Sequence, residues 1–188
     1  MVNNERVRVA WIGTGVMGSP MCEHLLVAGY PVKVFSRTKE RAGSLLERGA
    51  QWCASPAEAS EGSDIVVTLV GYPSDVREVV LGDQGVLAAA RKGSTIIDMT
   101  TSEPLLAQEI FDVAAAKGVG SLDAPVSGGD VGARNATLVI MVGGAQEEFD
   151  RALPLFQQLG KIVTLEGGAG AGQHTKMVNQ IAIASGMV

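Results

Sequence analysis

Residues 6–12, RVRVAWI, form a short apolar run that enters Gly13-Thr14-Gly15-Val16-Met17-Gly18 at once. Residues 16–28 then carry apolar side chains at helical spacing and stop at Gly29. A buried strand, a glycine turn and a helix in that order constrain the fold more than any other feature of the chain. Gly13 permits the tight turn, Gly15 lets a pyrophosphate approach the backbone, and Gly18 lets the helix pack on a sheet. The free N–H groups at the helix start then face two phosphates.

The alternation continues to the end of the chain. Residues 31–35 read as strand, 39–48 as a charged, solvated helix, and 51–53 as a short strand. Ser55-Pro56-Ala57-Glu58 reads as a helix start, with Ser as N-cap, Pro in the first position and Glu in the third. The β-branched run 64–70 predicts a buried strand, 74–81 and 86–92 helices, 94–99 a strand and 104–117 a helix. Residues 119–124 read as strand before a glycine-rich loop at 125–133. Strand at 137–142, helix at 146–159, strand at 161–165 and helix from Ala171 onward complete the pattern. Strands alternating with helices at this pace predict an α/β, doubly wound, mostly parallel sheet, with the direction of the later strands left open.

The second strand decides which dinucleotide is expected. An acidic residue usually stands about 20 residues beyond the loop to hold the ribose hydroxyls of NAD. Here the strand ends in Phe35-Ser36-Arg37-Thr38, two hydroxyls and a guanidinium with no carboxylate at the tip. Such a set suits a 2′-phosphate, so NADP is expected over NAD.

Composition narrows the partners. The 188 residues are 46% hydrophobic and carry a net charge of −5, enough apolar matter for a core and the wrong sign for nucleic acid or an anionic membrane surface. Cys22 and Cys53 make no disulfide framework and have no metal-ligand spacing, so no metal is expected and a reducing, cytoplasmic compartment is. The start of the chain lacks the layout of a cleavable signal, and no run approaches the length of a membrane helix.

Four segments together carry a resemblance. They are Ile12-Gly13-Thr14-Gly15-Val16-Met17-Gly18; Ser36-Arg37-Thr38; Asp123-Ala124-Pro125-Val126-Ser127-Gly128-Gly129; and Gly170-Ala171-Gly172 leading into Lys176-Met177-Val178-Asn179. In these the chain resembles the β-hydroxyacid dehydrogenase family, which includes 3-hydroxyisobutyrate dehydrogenase, tartronate semialdehyde reductase and glyoxylate/succinic semialdehyde reductases, with 6-phosphogluconate dehydrogenase more distant. The resemblance implies a Rossmann-type sheet and a catalytic role for Lys176. It implies that Ser127, Gly128 and Gly129 hold a substrate carboxylate and that Asn179 orients the substrate. Val70 and Gly71 would lie beside the nicotinamide half of the cofactor, and Thr101 would touch its ribose or amide. Three positions depart from the family pattern: Ser36 stands where Asn is usual, Gln180 where a second Asn often follows, and Val70 where Pro is common, which is expected to loosen that loop. Family members also continue past the last helix into an all-helical domain. The division expected is therefore 1–167 as an NADP-binding domain and 168–188 as the start of an interdomain helix, with the chain truncated there.

The residues support that chemistry directly. Lys176, Asn179 and Gln180 stand at i, i+3 and i+4, on one face of a helix. A lysine can give a proton to a carbonyl oxygen or, when neutral, take one from an alcohol, a role that desolvation favours. The Ser127-Gly128-Gly129 turn offers a hydroxyl and exposed N–H groups to a carboxylate. The expected substrate is a small carboxylate-bearing aldehyde or hydroxy acid. Asp98 and Asp123 fall at strand ends, and Asp123 is expected to fix the glycine-rich loop. His24 and His174 read as structural or solvated, with modulation of the Lys176 charge by His174 as the alternative. The apolar tail of the last helix predicts homo-oligomerisation through it, and a chain that binds NADPH but turns over poorly. The alternative is a dinucleotide-binding module without turnover, acting as a scaffold or interaction protein.

Overall fold

All four residues of β1 (Val9–Ile12) are buried, as befits a strand covered on both faces. In the computed structural model residues 7–187 are described; Arg6, where the expected first strand begins, and Val188, where the expected last helix ends, lie outside them. β1 pairs in parallel with β2 (Val32–Phe35) on one side and β4 (Ile65–Thr68) on the other. β3 (Gln51–Trp52) extends the sheet beyond β2, while β5 (Thr95–Asp98) and β6 (Gly120–Asp123) extend it beyond β4, all in parallel. The order β3-β2-β1-β4-β5-β6 reverses its winding between β1 and β4, which opens a crevice at the C-terminal ends of those two strands.

The last two strands run the other way. β8 (Leu138–Gly144) is antiparallel to β6, through Asp123 opposite Gly143, and to β7 (Val126–Ser127). β9 (Gly160–Gly167) lies parallel to β8 on its far edge. Alternate strand residues feed two cores. Trp11, Val67, Ile97 and Leu122 pack with Met21, Leu25 and Phe156 on one face; Ile12, Val66 and Ile96 pack with Val76, Leu106 and Ile110 on the other. Cys22 is buried in the first core and Cys53 in the second.

The helices follow the sequence pattern with local changes. α1 (Gly18–Val27) springs from the glycine loop. The charged stretch divides into a 3-10 turn, Lys39–Ala42, and α2 (Gly43–Glu47). α3 (Pro56–Ser60) starts as expected: Ser55 Oγ accepts from Glu58 N at 3.0 Å, and Glu58 Oε2 accepts from Ala54 N at 2.6 Å. α4 (Pro73–Leu81) and α5 (Val86–Ala89) follow β4. α5 ends three residues earlier than expected because Arg91 leaves the helix to pair with Asp64, and Gly93 turns back with φ of 81°. α6 (Pro104–Ala116) crosses from β5 to β6. The stretch expected as a glycine-rich loop instead holds β7 and α7 (Gly129–Arg134), since Gly128 and Gly129, at φ of 130° and 62°, turn the strand straight into a helix. α8 (Gln146–Phe156) and α9 (Ala171–Gly186) complete the chain, and α9 packs on β8 and β9. Among the described residues no helix is long and apolar enough to cross a membrane, and no group of side chains could hold a metal ion.

The start of α9 is packed against bare backbone. A Cβ on Gly172 would fall 2.4 Å from the Met141 carbonyl oxygen and 2.7 Å from that of Asp123. Gly172→Ala is therefore expected to cost about 1–3 kcal/mol in urea unfolding. Gly43→Ala, where a Cβ meets nothing within 4 Å, is expected to leave stability unchanged or slightly raised. Equal effects at both sites would contradict this packing.

Candidate active site

The glycine loop is shaped by backbone crowding on one side and open space on the other. Gly13 has φ of 106°, donates its N–H to the Phe35 carbonyl at 2.9 Å, and would bring a Cβ to 2.1 Å from the Leu69 carbonyl oxygen. A Cβ on Gly18 would reach 2.2 Å from the Gly13 oxygen. On Gly15 a Cβ would meet nothing within 4 Å, so that backbone faces open space. No side chain caps the start of α1. Thr14 is 4% exposed, and its Oγ1 has no hydrogen-bond partner. An orphaned buried hydroxyl, uncapped N–H groups and an open glycine are what a diphosphate would complete, so the residues fit a dinucleotide.

A cleft of about 1040 Å³ runs along this loop. Gly13, Thr14, Gly15, Val16, Met17 and Gly18 form its floor, Ser36, Arg37 and Thr38 one end, and Val70 and Gly71 a wall. Arg37 donates to Asp75 Oδ1 at 3.0 Å, and Asp75 also accepts from Tyr72 N at 3.1 Å, so the start of α4 holds the guanidinium in place. Arg41, exposed on its charged stretch as expected, also lines the cleft, as do Glu78 and Asp83.

A second cavity, of about 580 Å³, shares Met17, Leu69, Val70 and Gly71 with the first. Thr101, Ser127, Gly128, Gly129, Lys176 and Gln180 line it. Lys176 is 7% exposed, and burial holds its amine below the ordinary lysine range. Its Nζ donates to Gln180 Oε1 at 2.8 Å, and among the described residues no carboxylate forms an ion pair with it. Gln180, one methylene longer than Asn, thus reaches back along α9 to hold the lysine. Asn179 does not line the cavity with them; its Oδ1 accepts from Ser127 Oγ at 3.4 Å, behind the turn.

A buried polar network adjoins the second cavity, which Thr100 lines. Asp123 accepts from Gly170 N at 2.7 Å and from Gln173 N at 2.8 Å. It therefore holds the start of α9, where the sequence suggests it fixes the loop after β6. Asp98 accepts from Thr68 Oγ1 at 2.8 Å and from Thr100 N at 3.1 Å. Thr100 Oγ1 in turn accepts from Val70 N at 3.0 Å. A proline at 70 has no N–H to give, so Val70, expected to loosen this loop, ties it down instead. His24 Nε2 lies 3.0 Å from the Ala133 carbonyl and joins α1 to α7, a structural role. His174 is exposed and lines neither cavity.

Sequence reasoning misses Arg41, Asp75, Thr100 and Gln173. The signal for Arg41 is its place one helical turn after Arg37; Asp75 at the third position of a helix that begins with Pro73 is a legible cap. Nothing in the sequence alone pairs Gln173 with Thr100.

Residues 8–168 match the model of the NAD binding domain of 6-phosphogluconate dehydrogenase. The chain belongs to the β-hydroxyacid dehydrogenase family. Its similarity to an uncharacterised oxidoreductase of Bacillus subtilis, YkwC, is 51% identity over 96% of this chain and 62% of that protein. To the 2-hydroxy-3-oxopropionate reductase of Escherichia coli it is 41% identical, over 95% of this chain and 61% of the relative. The structure of the 3-hydroxyisobutyrate dehydrogenase of Mycobacterium tuberculosis with L-serine superposes with a TM-score of 0.89 at 36% identity, covering 95% of this chain and 60% of that one. The chain thus spans about three fifths of the length of these family members.

The family fold leaves Asp98 as a buried acid with its carboxyl raised to about 6, chiefly by burial and against the hydrogen bonds of Thr100 and Thr68. Because the folded value lies above the ordinary 3.8, the stability linked to its proton is complete below about pH 4 and is lost as pH rises through about 6. Asp98→Asn stays neutral throughout. Urea unfolding of the two proteins is expected to show the variant gaining on the wild type between about pH 4 and pH 7, by on the order of 3 kcal/mol. A difference that does not change with pH would contradict a buried, titrating Asp98.

Proposed function

We propose that this chain is the dinucleotide-binding part of an oxidoreductase that interconverts a small β-hydroxy acid and the corresponding semialdehyde, with NADP(H) preferred over NAD(H). The observation that carries the reading is Lys176. A buried amine without a carboxylate partner opens into the cavity that shares Val70 and Gly71 with the glycine-loop cleft. A scaffold has no use for such a group, since its desolvation costs stability.

Gly13, Thr14, Gly15, Val16, Met17 and Gly18 would hold the diphosphate, with the Thr14 hydroxyl gaining its missing partner. Ser36, Arg37, Thr38 and Arg41 would hold the 2′-phosphate, the guanidinium of Arg37 turning from Asp75 toward it. Val70, Gly71 and Thr101 would flank the nicotinamide half. Bound there, the dinucleotide supplies or accepts the hydride. Ser127, Gly128 and Gly129 would hold the substrate carboxylate, with Asn179 orienting the Ser127 hydroxyl. Lys176 gives a proton to the carbonyl oxygen in reduction and, when neutral, takes the hydroxyl proton in oxidation. Gln180 keeps Nζ aimed into the cavity. Residues 1–167 form the cofactor domain in this reading and 168–188 begin an interdomain helix. The exposed Met177, Val178 and Ile181 of that helix fit homo-oligomerisation, and the reducing cytoplasm fits the two buried free cysteines.

Three measurements test the reading. Arg37→Asp is expected to weaken NADPH far more than NADH in a fluorescence titration, and equal losses would remove Arg37 from the cofactor site. In the full-length protein, Lys176→Met is expected to lower turnover of glyoxylate, succinic semialdehyde or tartronate semialdehyde by about two to four orders of magnitude. Wild-type oxidation of the hydroxy acid should rise with pH through a value below that of an ordinary lysine, as the lowered amine requires. Retained turnover in the variant would refute a proton-transfer role.

A further inference from the structure

We propose that Gln173 is a positioning residue that fastens the cavity wall at Thr101, and through Thr100 the Val70 segment, to the helix carrying Lys176, so that the two sides of the reacting space are held in register. This rests on the reading of the two cavities as a dinucleotide and substrate site.

Gln173 stands one turn before Lys176 in α9, is 2% exposed and lines neither cavity. Its amide Nε2 donates to the Thr100 carbonyl at 2.8 Å, and its Oε1 accepts from Ser102 N at 2.9 Å. The two bonds grip the backbone on either side of Thr101, the residue exposed on the cavity wall. Its own N–H is bound to Asp123 at the end of β6. Thr100 carries the grip onward, since its Oγ1 accepts the Val70 N–H and its N–H is bound to Asp98. Gln173 therefore ties the segment after β5 to the helix of Lys176 through its side chain and the end of β6 through its own N–H, and Thr100 passes the tie on to the segment after β4.

Glutamine suits this place for a chemical reason. A primary amide offers a donor and an acceptor side by side, matching the carbonyl and N–H that flank Thr101. Asparagine is one methylene short, and glutamate cannot donate to the Thr100 oxygen. Ser102 Oγ has no partner, so that backbone is not secured by its own side chain. Hydride and proton must arrive at neighbouring atoms, and misplacement of either side by a fraction of an ångström slows the reaction without touching the adenosine end.

The test separates the two ends of the ligand. NADPH and adenosine 2′,5′-bisphosphate, which lacks the nicotinamide half, are titrated against this chain and against Gln173→Met. In the wild type NADPH is expected to bind more tightly than the bisphosphate. In the variant NADPH affinity is expected to fall about tenfold while the bisphosphate is held within about twofold. Gln173→Asn, which keeps the amide but withdraws it, should give the same ratio should the methionine variant fail to fold. Parallel loss of both ligands, unchanged NADPH affinity, or equal wild-type affinity for the two ligands overturns the positioning role. Failure of the wild type to bind either ligand refutes instead the cofactor-site reading beneath it.

Discussion

The carboxylate of Asp123, buried at the end of β6, receives the N–H groups that open α9, and the placement of every residue on that helix depends on it. Burial raises its pKa, and the backbone N–H groups of Gly170, Gln173 and Gly172 oppose that rise. The junction exists only because two glycines leave room. A Cβ at Gly143 would come within 2.5 Å of Asp123 Oδ1, and one at Gly172 would strike the Asp123 and Met141 carbonyls. Helix, carboxylate and strand thus meet through bare backbone, and Lys176 inherits its position from that contact. An amine placed this way has no ion pair among the described residues, and burial lowers its pKa.

The cofactor cleft is built by a different rule. It follows from where the winding of the parallel sheet reverses, and its floor follows from the glycine loop. The two constructions meet at Leu69, Val70 and Gly71, the segment after β4 that lines both cavities. That segment is held from one side by the Gly13 turn, which leaves the Leu69 carbonyl no space for a side chain, and from the other by Thr100.

Much of the fold was legible because local rules and global topology agree. The strand, loop and helix from Val9 to Val27 follow from spacing alone, as does the Ser55 cap of α3. The cavity lining was legible wherever a residue type carries its chemistry openly, as with Arg37 at a strand tip and Lys176 one turn before Gln180. What stayed hidden depends on contacts across the sheet. No local signal makes Arg91 end α5 by turning to Asp64, or makes residues 126–127 pair with β8 and form β7. Val70 looked like the loss of a stiff proline and proved to be the gain of an N–H for Thr100. Gln173 was invisible for the same reason, since its partners lie about seventy residues earlier in the chain.

In the proposed function one dinucleotide spans the glycine loop and ends beside Lys176. The most direct measurement is a backbone amide NMR titration of the 188-residue chain with NADPH. Shifts are expected along residues 13–18, 36–41, 70–71 and 100–102 and in the first turns of α9, all saturating together. Shifts confined to the loop and the 36–41 segment, with the Lys176 turn unmoved, would contradict it, and so would a titration that leaves the loop untouched.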